Sequence, residues 1–330
     1  MLFYVIRRLL YMIVILLAVS VVAFIIIQLP PGDYLTSYII KLRASGQEVD
    51  EAQIASLRKQ YGLDLPIYSQ YFFWMWRILQ GDLGRSFQWN RPVNDLIAER
   101  LPLTVVISLL TLVFTYVVAI PIGIYSATHQ YSVGDYTFTV IGFAGLAVPN
   151  FLLALVLMFM FYQYFNLSVG GLFSPQYTEV AWSVGKLIDI LKHLPIPIIV
   201  IGTAGTAGLI RVMRGCLLDE LRKQYVITAR AKGVSERTLL FKYPVRLAVN
   251  PIISTIGWTL PAIVSGETIT AIVLSLPTTG PLLFRALMAQ DMYLAGSIVM
   301  VLTFLTVLGT VISDILLSWL DPRIRYEKSA

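Results

Sequence analysis

The chain has 330 residues, of which 57% are hydrophobic and only 13% charged, against about a quarter charged in soluble domains. Its mean hydropathy of +0.74 excludes an ordinary soluble globular protein, and its net charge of +6 calls for an account in terms of membrane orientation before nucleic acid is considered. A lone cysteine, Cys216, excludes an intramolecular disulfide or a cysteine metal site.

In chain order, apolar runs at 9–29, 103–126, 137–165, 194–212, 249–274 and 292–320 are each long enough to cross about 30 Å of hydrocarbon. They predict an all-α membrane protein of six transmembrane helices. The first run follows Arg7 and Arg8, exceeds a usual signal-peptide core and lacks a small-residue cleavage site, so it reads as an uncleaved anchor. Within 30–102, a short helix is expected over 50–61. An amphipathic interfacial helix carrying Trp74 and Trp76 is expected over 65–79. Turns follow at Gly81-Asp82-Leu83-Gly84 and Asn90-Arg91-Pro92, and the segment reads as a small extracytoplasmic cap. Another short surface helix is expected within 166–193. Pro121, Pro149, Pro195, Pro197 and Pro261 fall in or near spans, where membrane helices tolerate them. The resulting division is an N-terminal helix plus cap over 1–100 and a five-helix core over 101–330.

Lys and Arg set the orientation. With the N-terminus inside, the inner segments hold fourteen basic and seven acidic residues, while 30–102 balances eight against eight. Both termini are therefore expected in the cytoplasm. His129 and His193 fall on opposite sides, which argues against a shared metal site.

The large inner loop, 214–250, carries most of that positive charge. Its centre is Thr228-Ala229-Arg230-Ala231-Lys232-Gly233. The spacing predicts a short helix ending at Gly233, where a residue free to take positive φ is favoured, and a second helix starting with Ser235 as N-cap before Glu236 and Arg237. Small side chains at the tip suit entry into a partner's cleft. A basic loop often serves only to fix topology; its length and its immediate return to a span favour a docking element.

The sequence holds no phosphate-cradling G-x-x-x-x-G-K-[ST], no H-E-x-x-H and no G-x-S-x-G. Charge within the spans is scarce, and only Glu267, toward the outer end of the fifth run, stands out as a pathway or gate candidate. The bland reading of Glu267 is a structural acid bonded to Thr268 or Thr270. Asp314 lies near the inner boundary, where a solvated or paired role is favoured.

Four segments taken in order resemble inner-membrane permeases of bacterial ABC importers of the dipeptide/oligopeptide/nickel type. They are Arg7-Arg8-Leu9 leading to Pro31-Gly32-Asp33; Tyr61-Gly62-Leu63-Asp64 with Gly81 to Ser86; the loop from Tyr225 to Gly233; and Asp314 through Leu320-Asp321-Pro322-Arg323. The loop keeps only Ala229 and Gly233 of that family's EAA pattern, Val245-Arg246 replaces the Leu-Pro that usually follows, and Pro277-Thr278-Thr279-Gly280 replaces a Pro-Gly-x-Gly turn. The resemblance implies a type I importer fold in a bacterial or archaeal inner membrane, with no cofactor on this chain and ATP and Mg on partner subunits. It implies a second homologous permease, two cytoplasmic ATPases, an extracytoplasmic solute-binding protein and membrane lipid as partners, and no nucleic acid. It makes Thr228 to Gly233, Ser235 and Glu236 the ATPase-coupling residues. The solute is expected to be peptide-like or oligosaccharide-like. The alternative is a self-sufficient secondary transporter or channel, which calls for more ionisable residues at the membrane midplane.

Overall fold

A computed structural model describes residues 2–28, 39, 59, 64–165, 170–178, 180–257, 259, 262, 263 and 268–320. Over these the regular structure is helical, apart from one isolated bridge between Arg85 and Pro92. The expected helix at 50–61 and the site candidate Glu267 lie outside the described residues, as does the side chain of Asp314. The chain divides into two compact units.

The smaller unit comprises Leu2–Leu103 and Thr278–Leu305. It contains α1 (Leu2–Gln28), α2 (Ile67–Leu79), the start of α3 (Val93–Thr128), α12 (Thr279–Met288) and the start of α13 (Met292–Leu320). The aromatic segment expected to be helical is α2, but its two tryptophans part company. Trp76 is exposed, whereas Trp74 is buried beside Phe24 of α1, ring centroids 5.9 Å apart. Gly296 of α13 leaves room for it: a Cβ there would stand 2.8 Å from Trp74 Cζ2.

The loop between α2 and α3 is fastened by Asp291, just ahead of α13. Fully buried, this carboxylate accepts from Ser86 Oγ at 2.5 Å, from the Gln88 amide at 3.1 Å and from the Leu294 amide at 3.3 Å. Burial pushes the Asp291 carboxyl above the usual range, against the opposing pull of those donors.

The larger unit comprises Thr104–Pro277 and Thr306–Ala330. Its hub is α7 (Pro195–Leu221), which packs against α4 (Val133–Ala147), α5 (Asn150–Phe165), α6 (Val184–His193) and α10 (Pro244–Ser254). The core is apolar: Ala119 and Ala127 of α3, Leu209, Met213 and Leu217 of α7, and Val245, Ala248 and Ile252 of α10. The surface helix expected within 166–193 is α6, capped by Ser183 accepting from the Lys186 amide at 3.3 Å. A short α11 (Thr268–Val273) packs on α5.

Among the described residues, three helical stretches are long and apolar enough to cross a membrane: Val93–Thr128, Val184–Leu221 and Met292–Ser313. The run at 137–165, read from sequence as one span, is broken. α4 and α5 meet at a bend of 104°. Pro149 supplies the reason: it has no amide to donate and it biases Val148 toward extended backbone, which Val148 adopts at φ −88 and ψ 121. Proline in this run therefore acts as a breaker, contrary to the expected tolerance. If the bent pair is one crossing, the described helices provide four.

Asp291→Ala should destabilise the smaller unit by about 1–3 kcal/mol, because it strands the Ser86 hydroxyl and the Gln88 amide. Asp291→Asn, which keeps an acceptor and no charge, should cost less. Thermal unfolding of the detergent-solubilised protein checks the order; equal losses in the two variants would remove the role of the acceptor.

Candidate coupling loop

The inner loop folds as two short helices around a tight turn. α8 (Gln224–Ala231) ends just ahead of Gly233, where the sequence predicts a stop. The Gly233 amide donates to Arg230 O at 3.0 Å and the Val234 amide to Ala229 O at 3.3 Å, the paired bonds of a Schellman stop. Gly233 sits at φ +75 with nothing within 4 Å of a Cβ built there, so its requirement is for backbone conformation and not for space. α9 (Glu236–Lys242) then begins with Ser235 in the N-cap position. The Ser235 side chain does not cap the helix, however; its hydroxyl donates to Thr238 Oγ1 at 2.9 Å.

A charge clasp closes the turn. Arg230 Nε donates to Glu236 Oε1 at 2.6 Å and its Nη2 to Oε2 at 3.0 Å, a bidentate pair between side chains 52% and 67% exposed. The guanidinium holds the Glu236 carboxyl below its usual range, and Glu236 raises Arg230 in return. Water and salt screen such a pair, so its contribution is to geometry more than to stability.

Each helix is anchored from beneath by one apolar side chain, Val226 in α8 and Leu239 in α9, both buried. Tyr225 adds a third tie, its phenol donating to Glu220 Oε2 at 2.5 Å. Burial, then Glu220, drives that phenol well above its ordinary range. Past Pro244 the chain enters α10, whose Val245, Ala248 and Ile252 join the α7 core. The loop is thus mounted on the hub helix through this apolar core and through the Tyr225–Glu220 hydrogen bond.

The sequence-predicted residues gather at one tip. Thr228, Arg230, Ala231, Lys232, Gly233, Ser235 and Glu236 are exposed, and Ala229 is half-buried. The structure removes one cation from the docking surface. Arg214, the first residue of the basic loop 214–250, donates through Nε to Asp135 Oδ1 at 3.0 Å and through Nη2 to Oδ2 at 2.9 Å. Asp135 stands 79 positions away in the chain, and the only local sign of it is Ser132, which caps α4 by accepting from the Asp135 amide. The Tyr225–Glu220 tie was also missed. Both partners are visible in the sequence five positions apart, but nothing there requires them to meet.

Comparison with known proteins concerns the chain as a whole. Residues 119–326 match the model of the binding-protein-dependent transport system inner membrane component, and residues 1–109 match that of the N-terminal part of the same membrane component. An oligopeptide transport system permease protein of Bacillus subtilis is 34% identical over 325 residues, covering 98% of this chain and 99% of the relative. A dipeptide transport system permease protein of Alkalihalophilus pseudofirmus is 30% identical over 340 residues, covering 99% and 100%. An oligopeptide transport system permease protein of Haemophilus influenzae is 30% identical over 328 residues, again covering 99% and 100%.

Proposed function

Because this chain belongs to the inner-membrane components of binding-protein-dependent transport systems and is a permease subunit of an ABC importer, we propose that it forms part of the pathway for a peptide-like solute and is driven through the tip at 228–236. Membership of this family weighs against the alternative of a self-sufficient carrier or channel. Relatives named for oligopeptides and dipeptides support a peptide-like solute over an oligosaccharide.

The observation that carries the coupling role is the preformed tip: a Schellman-stopped helix, a charge clasp and exposed small residues, all mounted on α7. In this reading Thr228, Ala229, Arg230, Ala231, Lys232, Gly233, Ser235 and Glu236 seat in a cleft of a cytoplasmic ATPase. ATP and Mg are held by two such subunits, a second homologous permease completes the pathway, and an extracytoplasmic binding protein delivers the solute.

The topology proposed for this arrangement has six crossings and both termini in the cytoplasm, with the bent α4–α5 pair counted as one crossing. The positive inner segments favour it. The division into an N-terminal helix with its cap (1–100) and a core (101–330) follows the same logic. Glu267 is proposed to line the outer half of the pathway, since an unpaired carboxylate facing lipid would cost several kcal/mol.

Gly233→Val should cost about 1 kcal/mol or more in the turn, because a β-branched residue disfavours positive φ. ATPase binding and uptake should fall while membrane insertion is kept; unchanged binding and uptake would remove the coupling role. Gln88→Cys in a Cys216→Ser background should react with an impermeant thiol reagent in intact cells, and labelling only after lysis would reverse the orientation. Glu267→Gln should lower uptake in a complex that still assembles. Normal uptake by Glu267→Gln, with Glu267→Ala merely unstable, would make the residue a structural hydrogen-bonding partner.

A further inference from the structure

α4 and α7 run antiparallel, with Asp135 beside Arg214 near one end and Gly145 against Thr203 near the other. Between them lies a groove of about 200 Å³. Phe138, Gly142, Phe143 and Leu146 of α4 face Ala207 and Ile210 of α7 across it, and Arg211 and Arg214 stand at one end. Phe143 and Leu146 are exposed, at 55% and 42%, so the trough opens to the surface.

The two arginines differ in what they hold. Arg214 is bound through Nε and Nη2 to the buried Asp135, whose carboxylate also accepts from the Tyr131 amide at 3.0 Å. That acid is neutralised. Arg211 is exposed and has no ion-pair partner among the described residues. It is also the first charged residue of α7, sixteen positions from its start, or about 24 Å along the axis. A helix crossing about 30 Å of hydrocarbon therefore brings Arg211 to the membrane–water boundary, with the apolar trough running from it toward the bilayer interior.

We propose that this groove binds an anionic phospholipid, with one acyl chain in the trough and the phosphate on Arg211. The chemistry is complementary at both ends. An uncompensated guanidinium at the hydrocarbon edge attracts an anion, and basic pockets between membrane helices on one face of a bilayer suit anionic headgroups. Away from the arginines, Thr139 brings the one hydroxyl of the lining, and Phe138, Phe143, Leu146 and Ile210 make the trough predominantly apolar, which suits an acyl chain better than a polar solute. The site is distinct from the coupling tip. It rests on the chain being a membrane permease and not on which way round it sits, since Arg211 meets a headgroup layer in either orientation.

The test uses the permease complex assembled with its partners and reconstituted in phosphatidylcholine vesicles that contain a phosphatidylglycerol carrying a photoreactive acyl chain. The label should appear in peptides from α4 and α7. Arg211→Gln should reduce it about fivefold, the loss expected for one arginine–anionic surface attraction of about 1 kcal/mol, and Arg211→Lys should keep most of it. A photoreactive phosphatidylcholine should label the wild type more weakly by a similar factor. Equal labelling by the two lipids would overturn the headgroup contact whether or not Arg211→Gln assembles. Cross-linking of Phe143→Cys to another permease subunit would overturn the proposal differently, by filling the trough with protein.

Discussion

The close approach of α7 to its neighbours is the constraint on which the larger unit depends. In a membrane, lipid tails compete with side chains for every apolar contact, so helices associate by fit rather than by escape from water. Here the fit is set by glycine. A Cβ at Gly123 would stand 2.6 Å from Met213 Cβ, one at Gly145 would stand 2.8 Å from Thr203 Cγ2, and one at Gly202 would stand 2.7 Å from a ring carbon of Phe114. None of these approaches survives a methyl group without movement. α7 is thereby held against α3 and α4 over much of its length, and the inner loop, carried on α10, inherits that fixed frame.

The smaller unit is held by a different device. Its fastening is polar: one buried carboxylate, Asp291, gathers a hydroxyl and two amides from chain segments about 200 positions apart. Such a knot is specific where close packing is permissive, because each lost partner leaves a desolvated group behind. Arg214 and Asp135 repeat the pattern in the larger unit. In both places an acid at the start of a helix is satisfied by a partner distant in sequence, and in both the charge is withdrawn from any surface role.

What was legible in the sequence was local. The stop at Gly233 follows from short-range rules about φ and orphan carbonyls, and the helix over 67–79 from composition and period. The small-residue seams and the long-range acids were not legible, because no rule of spacing pairs Asp135 with Arg214 or Asp291 with Ser86. Pro149 was visible but weighed as a tolerated membrane proline; its effect depends on whether neighbours rescue the helix, and a single sequence does not carry that information. Ser235 marks a subtler limit. Its position as N-cap was readable, but the direction of its hydroxyl, toward Thr238, was set by a competing local donor–acceptor pair.

The break between α4 and α5 changes how residue counts translate into depth. The two helices, 15 and 16 residues long, measure about 22 Å and about 24 Å and would reach roughly 46 Å end to end if collinear. Turned through 104°, their far ends lie only about 28 Å apart. That chord is close to the roughly 30 Å of a bilayer's hydrocarbon layer, so if the pair is the single crossing proposed above, a segment far too long for one upright crossing is made commensurate with the layer by folding its surplus sideways. With the pair as one crossing, the elbow at Val148 and Pro149 is a length adaptor, absorbing a mismatch that would otherwise call for steep tilt or a thickened bilayer.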